Sequence, residues 1–284
     1  MQFNLDALGR WTPGRAMSVS KEALAAYARA TEERSAIALE GRIATPVFAI
    51  VPVWDALQEA ARSIAPEEAR PRVVHGDQDI QISAPIQSGM TVRSRAAAVG
   101  VHVKESGTTV VLKTETRDGD DRLLNEQYVT EFYRGVSGGE GAGEVAPDHR
   151  MPGELTEAEL AAEITYPLAE GITERYAEAS GDHNAFHLNE EVARAAGLPG
   201  IIVHGLCLMA FAGRAVLASR EIENPAAIRR LAVRFSRPMT PGEALTTRIL
   251  RAEDAAVRFD ATNGADEVVL KDGLAEISEG APTS

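Results

Sequence analysis

Hydrophobic and polar positions follow the same coarse order twice along the chain: an early short helix, then a longer apolar helix, then a series of alternating segments. In the first half the apolar helix runs from about Pro52 to Ile64. Alternation then predicts strands near 78–84, 90–104, 107–117 and 122–134. In the second half a small helix spans Glu190 to Ala196, with Asn189 as its N-cap and Gly197 as its C-terminal stop. The segment from His204 to Ser219 is apolar on nearly every face, which marks a buried helix. Strands near 230–236, 245–252, 255–262 and 267–277 are therefore expected to wrap it. The pattern describes an α+β chain in which one helix swaddled by an antiparallel sheet is built twice.

Residue-level similarity supports a duplication. Tyr27-Ala28-Arg29-Ala30-Thr31 resembles Tyr176-Ala177-Glu178-Ala179-Ser180. The run 78–95 resembles 231–248, with Pro85 opposite Pro238 and Gly89 opposite Gly242. Between the halves, residues 135–154 are rich in Gly and poor in large apolar side chains, so they are expected to form a linker between domains at 1–134 and 155–284.

Composition narrows the partners. Among 284 residues the formal net charge is −13, which opposes a general affinity for nucleic acid or anionic lipid. No apolar run is long enough to cross a bilayer, and the N-terminus lacks the features of a signal peptide, so a cytoplasmic protein is expected. Cys207 is the single cysteine; it excludes an intramolecular disulfide, and its apolar neighbours predict a buried thiol.

Three of the six histidines, His183, His187 and His204, lie close in sequence to Asp182 and Asn184. A carboxylate and an imidazole five residues apart can converge on one water as a general acid and base. The helix start at His204-Gly205 adds backbone N–H groups able to hold a developing oxyanion. The first half lacks this set: the duplication places Glu33 and Ala38 where the second half has Asp182 and His187, and Pro52, which has no N–H, opposite Gly205. That half is expected to bind substrate without catalysing. The plainer alternatives are turn and cap roles for Asp182 and Asn184 and a core role for His187. No metal site is expected from Asp182, His183 and His187, because adjacent residues seldom aim at one ion. His75-Gly76 repeats the His-Gly dipeptide without the other groups, so no role is expected for it. His102 and His149 are expected on the surface.

The stretch YAEASGDHNAFHLNEEVARAAGLPGIIVHGLCLMAF resembles the signature of the MaoC-like, (R)-specific enoyl-CoA hydratases, also called hydratase 2. The segments ATPVFAIVP and VHGDQDIQISAPIQSG look like the non-catalytic first half of two-domain members. The resemblance implies a double hot-dog fold that interconverts trans-2-enoyl and (R)-3-hydroxyacyl thioesters. It implies that Asp182 and His187 activate water, that Gly205 supplies the oxyanion N–H and that Asn184 supports the dyad loop, with Ile202, His204 and Arg237 against the substrate. No metal or cofactor is implied, the substrate is an acyl-CoA or acyl-ACP (acyl carrier protein), and a homodimer is expected. Arg214, Arg229, Arg230, Arg234 and Arg237 are candidates for a basic rim that would favour CoA. Ala185 and Asn189 depart from the family's usual proline and acidic residue. The alternatives that remain are a 3-hydroxyacyl-ACP dehydratase, a hot-dog thioesterase and a non-catalytic acyl-thioester binding subunit.

Overall fold

In the first half, strand β1 (Arg15–Ser18) precedes helices α1 (Lys21–Ala30), α2 (Ala36–Leu39) and α3 (Trp54–Ile64). Strands β2 (Val73–Ile82), β3 (Thr91–Lys104), β4 (Gly107–Arg117) and β5 (Leu123–Arg134) complete it, and a two-residue strand β6 (Ala142–Gly143) follows. The second half begins with β7 (Leu160–Pro167), then α4 (Ile172–Ser180), α5 (Glu190–Ala195) and α6 (Gly205–Ser219). It ends with β8 (Ile228–Phe235), β9 (Ala244–Leu250), β10 (Ala256–Thr262) and β11 (Val268–Ile277). These elements come from a computed structural model that describes residues 1–151, 160–250 and 255–278. The expected linker residues 152–154 and strand end 251–252 lie outside them.

The longer helices lie where the sequence puts them, and the four-residue α2 is an addition to that reading. Ser20 caps α1 by accepting from Ala23 N, and α3 buries Ala56, Leu57, Ala60, Ala61 and Ile64 along one face. Helix α6 is buried on almost every side, as its apolar sequence requires, with Cys207 fully enclosed. Burial pushes the Cys207 thiol far above its ordinary range, so it is a packing group and no nucleophile.

All eleven strands belong to one sheet: ten follow the order β1-β3-β4-β5-β2-β8-β11-β10-β9-β7, β6 pairs with β3 off this path, and every described pairing is antiparallel. The order reads the same from either end once the halves are matched, so β2 against β8 is the centre. Asp79 pairs with Ala232 there, and the duplication aligns those same two residues. Tyr27 and Tyr176, also aligned by the duplication, share a buried hydroxyl–hydroxyl hydrogen bond of 3.1 Å. Both pairs therefore mark one pseudo-twofold axis, and the separate sheets expected from sequence are fused across it.

Three features depart from the sequence reading. Strand β2 starts at Val73 instead of 78, because a bulge between His75 and Asp77 breaks the alternation. Strands β1 and β7 lie at the sheet edges and are absent from the sequence reading: β1 is only four residues long, whereas β7 does alternate between half-buried and exposed positions along Leu160–Pro167, a period-two signal that the reading misses. His149 is only 6% exposed, not on the surface: its Nδ1 lies 2.8 Å from the Asp272 carbonyl, and its own carbonyl accepts from Arg258 at 2.5 Å. The linker is thereby strapped to β10 and β11.

Candidate active site

Helix α4 ends at Ser180, and Gly181 at φ +80° turns the chain into the loop that carries Asp182. Asp182 Oδ1 accepts from the backbone N of Asn184 at 3.2 Å and from its Nδ2 at 2.6 Å, a closed Asx turn that fixes the carboxylate. A 3-10 turn, Ala185–His187, follows. Asn189 then caps α5, accepting from Glu191 N at 3.0 Å and Val192 N at 3.1 Å. His187 is thus wedged between a turn and a capped helix, and is only 6% exposed.

Two carbonyls settle the imidazole tautomers, since a carbonyl can only accept. His187 Nδ1 lies 2.7 Å from the Ile202 carbonyl and carries the proton, which leaves a lone pair on Nε2. His204 Nε2 donates to the Asp182 carbonyl at 3.0 Å, tying the dyad loop to the start of α6. The His187 and His204 rings stack at 3.7 Å and 23°, with Tyr176 flanking His204 at 4.8 Å.

Burial raises the Asp182 carboxyl above its ordinary value, against the pull of His187, and burial lowers His187. The two affinities for a proton are drawn together, which suits transfer between them and a shared water. His204 is pushed down to about 3, chiefly by burial and then by His187, so it is neutral. Asp182, His187 and His204 each offer a ligand-type atom within 4.8 Å of the others. The set does not fit a metal ion: stacked imidazoles send their lone pairs side by side instead of toward one point, and one nitrogen of each ring is bound to a carbonyl.

Gly205 is the first residue of α6, where an N–H has no intrahelical acceptor. A Cβ on Gly205 would meet Phe235 Cδ1 at 2.8 Å, so the space that glycine leaves holds the Phe235 ring and is not open to ligand on that side. Among the other sequence candidates, Ile202 joins the site through its carbonyl. Arg237 is exposed and paired with Glu267 at 2.9 Å, in a loop joined to the site by Val203 N donating to the Met239 carbonyl at 2.8 Å.

The basic rim shrinks. Arg214 is buried, lies 3.8 Å over the Tyr166 ring and donates to the carbonyls of Thr31 and Glu32. Arg230 is held by Asp79 at 2.8 Å and Glu276 at 3.2 Å. Arg229, Arg234 and Arg237 remain exposed. His183 is exposed and outside the cluster. In the first half Glu33 Oε1 accepts from Arg34 N at 2.7 Å and Ser35 N at 3.1 Å, a turn like that of Asp182 with no imidazole to serve. Sequence reasoning missed Phe235 and Tyr176, whose only signals were their positions in the repeat.

Residues 152–272 match the MaoC like domain, and residues 40–135 match the MFE-2 hydratase 2 N-terminal domain. The 3-hydroxyacyl-thioester dehydratase Y of Mycobacterium tuberculosis is 31% identical over 217 residues, covering 73% of each chain. The chain belongs to the MaoC-like hydratase and dehydratase family. Another relative, the peroxisomal multifunctional enzyme type 2 of Drosophila melanogaster, is 34% identical over 178 residues. That match takes in 61% of this chain and 29% of the much longer fly protein. The solved MaoC-like dehydratase of Phytophthora capsici superposes with a TM-score of 0.85 at 23% identity, over 98% of this chain and all of that one, which shows the double hot-dog fold.

Proposed function

We propose that this chain adds water to trans-2-enoyl thioesters to give (R)-3-hydroxyacyl thioesters, and runs the reverse dehydration, at one site in its second half. The observation that carries the reading is the convergence of Asp182, His187 and His204, the residue that immediately precedes the first N–H of α6. Asp182 and the free Nε2 of His187 hold a water beside C3. One of them takes a proton as the hydroxyl bonds to C3, and that proton returns to C2 as the double bond is consumed. The Gly205 N–H receives the negative charge that builds on the thioester oxygen. His204 acts as a positioning residue: it fixes the Asp182 carbonyl and stacks on His187.

The first half serves as a substrate-binding partner, supported by its Ala38 and Pro52 in place of His187 and Gly205. A homodimer acting in the cytoplasm completes the proposal, and light scattering tests the first part. Conversion of crotonyl-CoA is the direct assay. Asp182→Asn and His187→Ala are each expected to lower kcat/KM by about a hundredfold or more. Full activity in both variants, or release of free CoA thiol in place of hydration, overturns the reading.

A further inference from the structure

Residues 199–202 run from α5 toward the start of α6 with little to hold them. Among the described residues they make two hydrogen bonds: the Ile202 carbonyl accepts from His187 Nδ1 at 2.7 Å, and Ile201 N donates to Glu190 Oε2 at 2.9 Å. This segment carries the carbonyl that decides which nitrogen of His187 bears the proton. Its one other hydrogen-bonded support is therefore a side chain eleven residues upstream, that of Glu190.

Glu190 opens α5, directly after the Asn189 cap. An acid in a first helical turn, with Arg194 one turn on at 2.6 Å, is by itself an ordinary surface arrangement. Here the carboxylate is divided between two tasks: Oε1 takes Arg194, and Oε2 reaches off the helix to Ile201 N. The bond from Ile201 N, with Arg194 beside it, holds the Glu190 carboxyl below its ordinary value, so it is ionised at neutral pH. Gly200 shows the same contact from the other side. It is buried, and a Cβ there would lie 3.0 Å from Glu190 Oε2 and 3.1 Å from Oε1, so the carboxylate sits directly over the glycine.

We propose that Glu190 is a positioning residue for the reaction: its carboxylate anchors residues 199–202, so that the Ile202 carbonyl keeps the proton on Nδ1 of His187 and leaves Nε2 free for water. This rests on the hydratase reading above and adds a group that acts on it through His187. The tautomer of an imidazole is set by the bond that its other nitrogen makes, so a carbonyl that drifts lets the proton settle on Nε2, where the base is lost. The test uses the full chain with isotope-labelled histidine and reads two quantities. Nitrogen NMR without substrate reports which nitrogen of His187 is protonated, its signals being those lost in His187→Ala. Steady-state hydration of crotonyl-CoA gives kcat and KM. Glu190→Ala is expected to lower kcat about tenfold or more with KM little changed, and to move the His187 proton toward Nε2. Glu190→Gln, which keeps an oxygen for Ile201 N, is expected to restore most of both. Gly200→Ala displaces the carboxylate without removing it and is expected to act like Glu190→Ala; if circular dichroism shows one of these two unfolded, the other decides. A wild type protonated on Nε2 overturns the proposal. So does an unchanged tautomer in Glu190→Ala, even where activity falls, and so does a Glu190→Gln as impaired as Glu190→Ala. A wild type inactive on crotonyl-CoA overturns the hydratase reading itself, whereas the tautomer measurement judges Glu190 without any turnover.

Discussion

Asp182 is aimed by its own loop, through Asn184, whereas His187 is aimed by a carbonyl fifteen residues further on, that of Ile202. His204 joins the two, and this gives its role a kinetic signature. His204→Ala is expected to lower kcat about tenfold or more while KM changes little. A group gripping substrate would raise KM instead, so steady-state kinetics separate the roles. Gly205 makes a sharper case, because any side chain there runs into the Phe235 ring. Gly205→Ala is expected to lose activity and a few degrees of Tm, and Gly205→Ala combined with Phe235→Ala to recover part of the Tm. At this scale the dyad and the glycine were legible in sequence because they lie within about two dozen residues of each other. The contact of Phe235 with His75 was not: it depends on the register of β2 against β8 and on the bulge after His75.

Elements with a strong local signal matched the sequence reading closely. Helix α5 begins and stops where its cap and its glycine at φ +78° require, and α6 is buried as its composition demanded. Of the edge strands, β1 is too short to show a period, whereas β7 alternates along Leu160–Pro167 and was legible in principle. Asn189, where the family usually carries an acid, keeps the cap through its side-chain oxygen. Asn189→Ala is expected to cost about 1 kcal/mol in denaturant melts and to reduce activity as the turn bearing His187 loosens, whereas Asn189→Asp should retain both.

For the whole molecule, the buried histidines dictate an acid limit. His75, His187 and His204 all have folded pKa values lowered by burial, so the unfolded chain binds protons that the folded one refuses. The contribution of these imidazoles to stability is then full above the unfolded value of 6.5 and falls as pH drops below it, partly offset by the buried Asp77, Glu131 and Asp182 carboxyls, whose raised values act in the opposite sense. The fall continues toward about 4 for His75 and about 3 for His204, with a limiting slope of about 1.4 kcal/mol per pH unit for each group. Thermal melts between neutral pH and pH ~4 should show Tm declining throughout. A constant Tm over that span would mean these imidazoles are protonated in the native state.

The axis marked by Asp79 opposite Ala232 and by Tyr27 against Tyr176 has a further consequence. Two half-proteins that must find one another in solution come apart on dilution, and both must remain self-complementary. Joined in one chain, they meet by loop closure, at a local concentration set by the tether and independent of how much protein is present. Freed from matching its own copy, each half could change alone: one kept Asp182 and His187, and the other was at liberty to bury Gln78 where its twin holds Leu231.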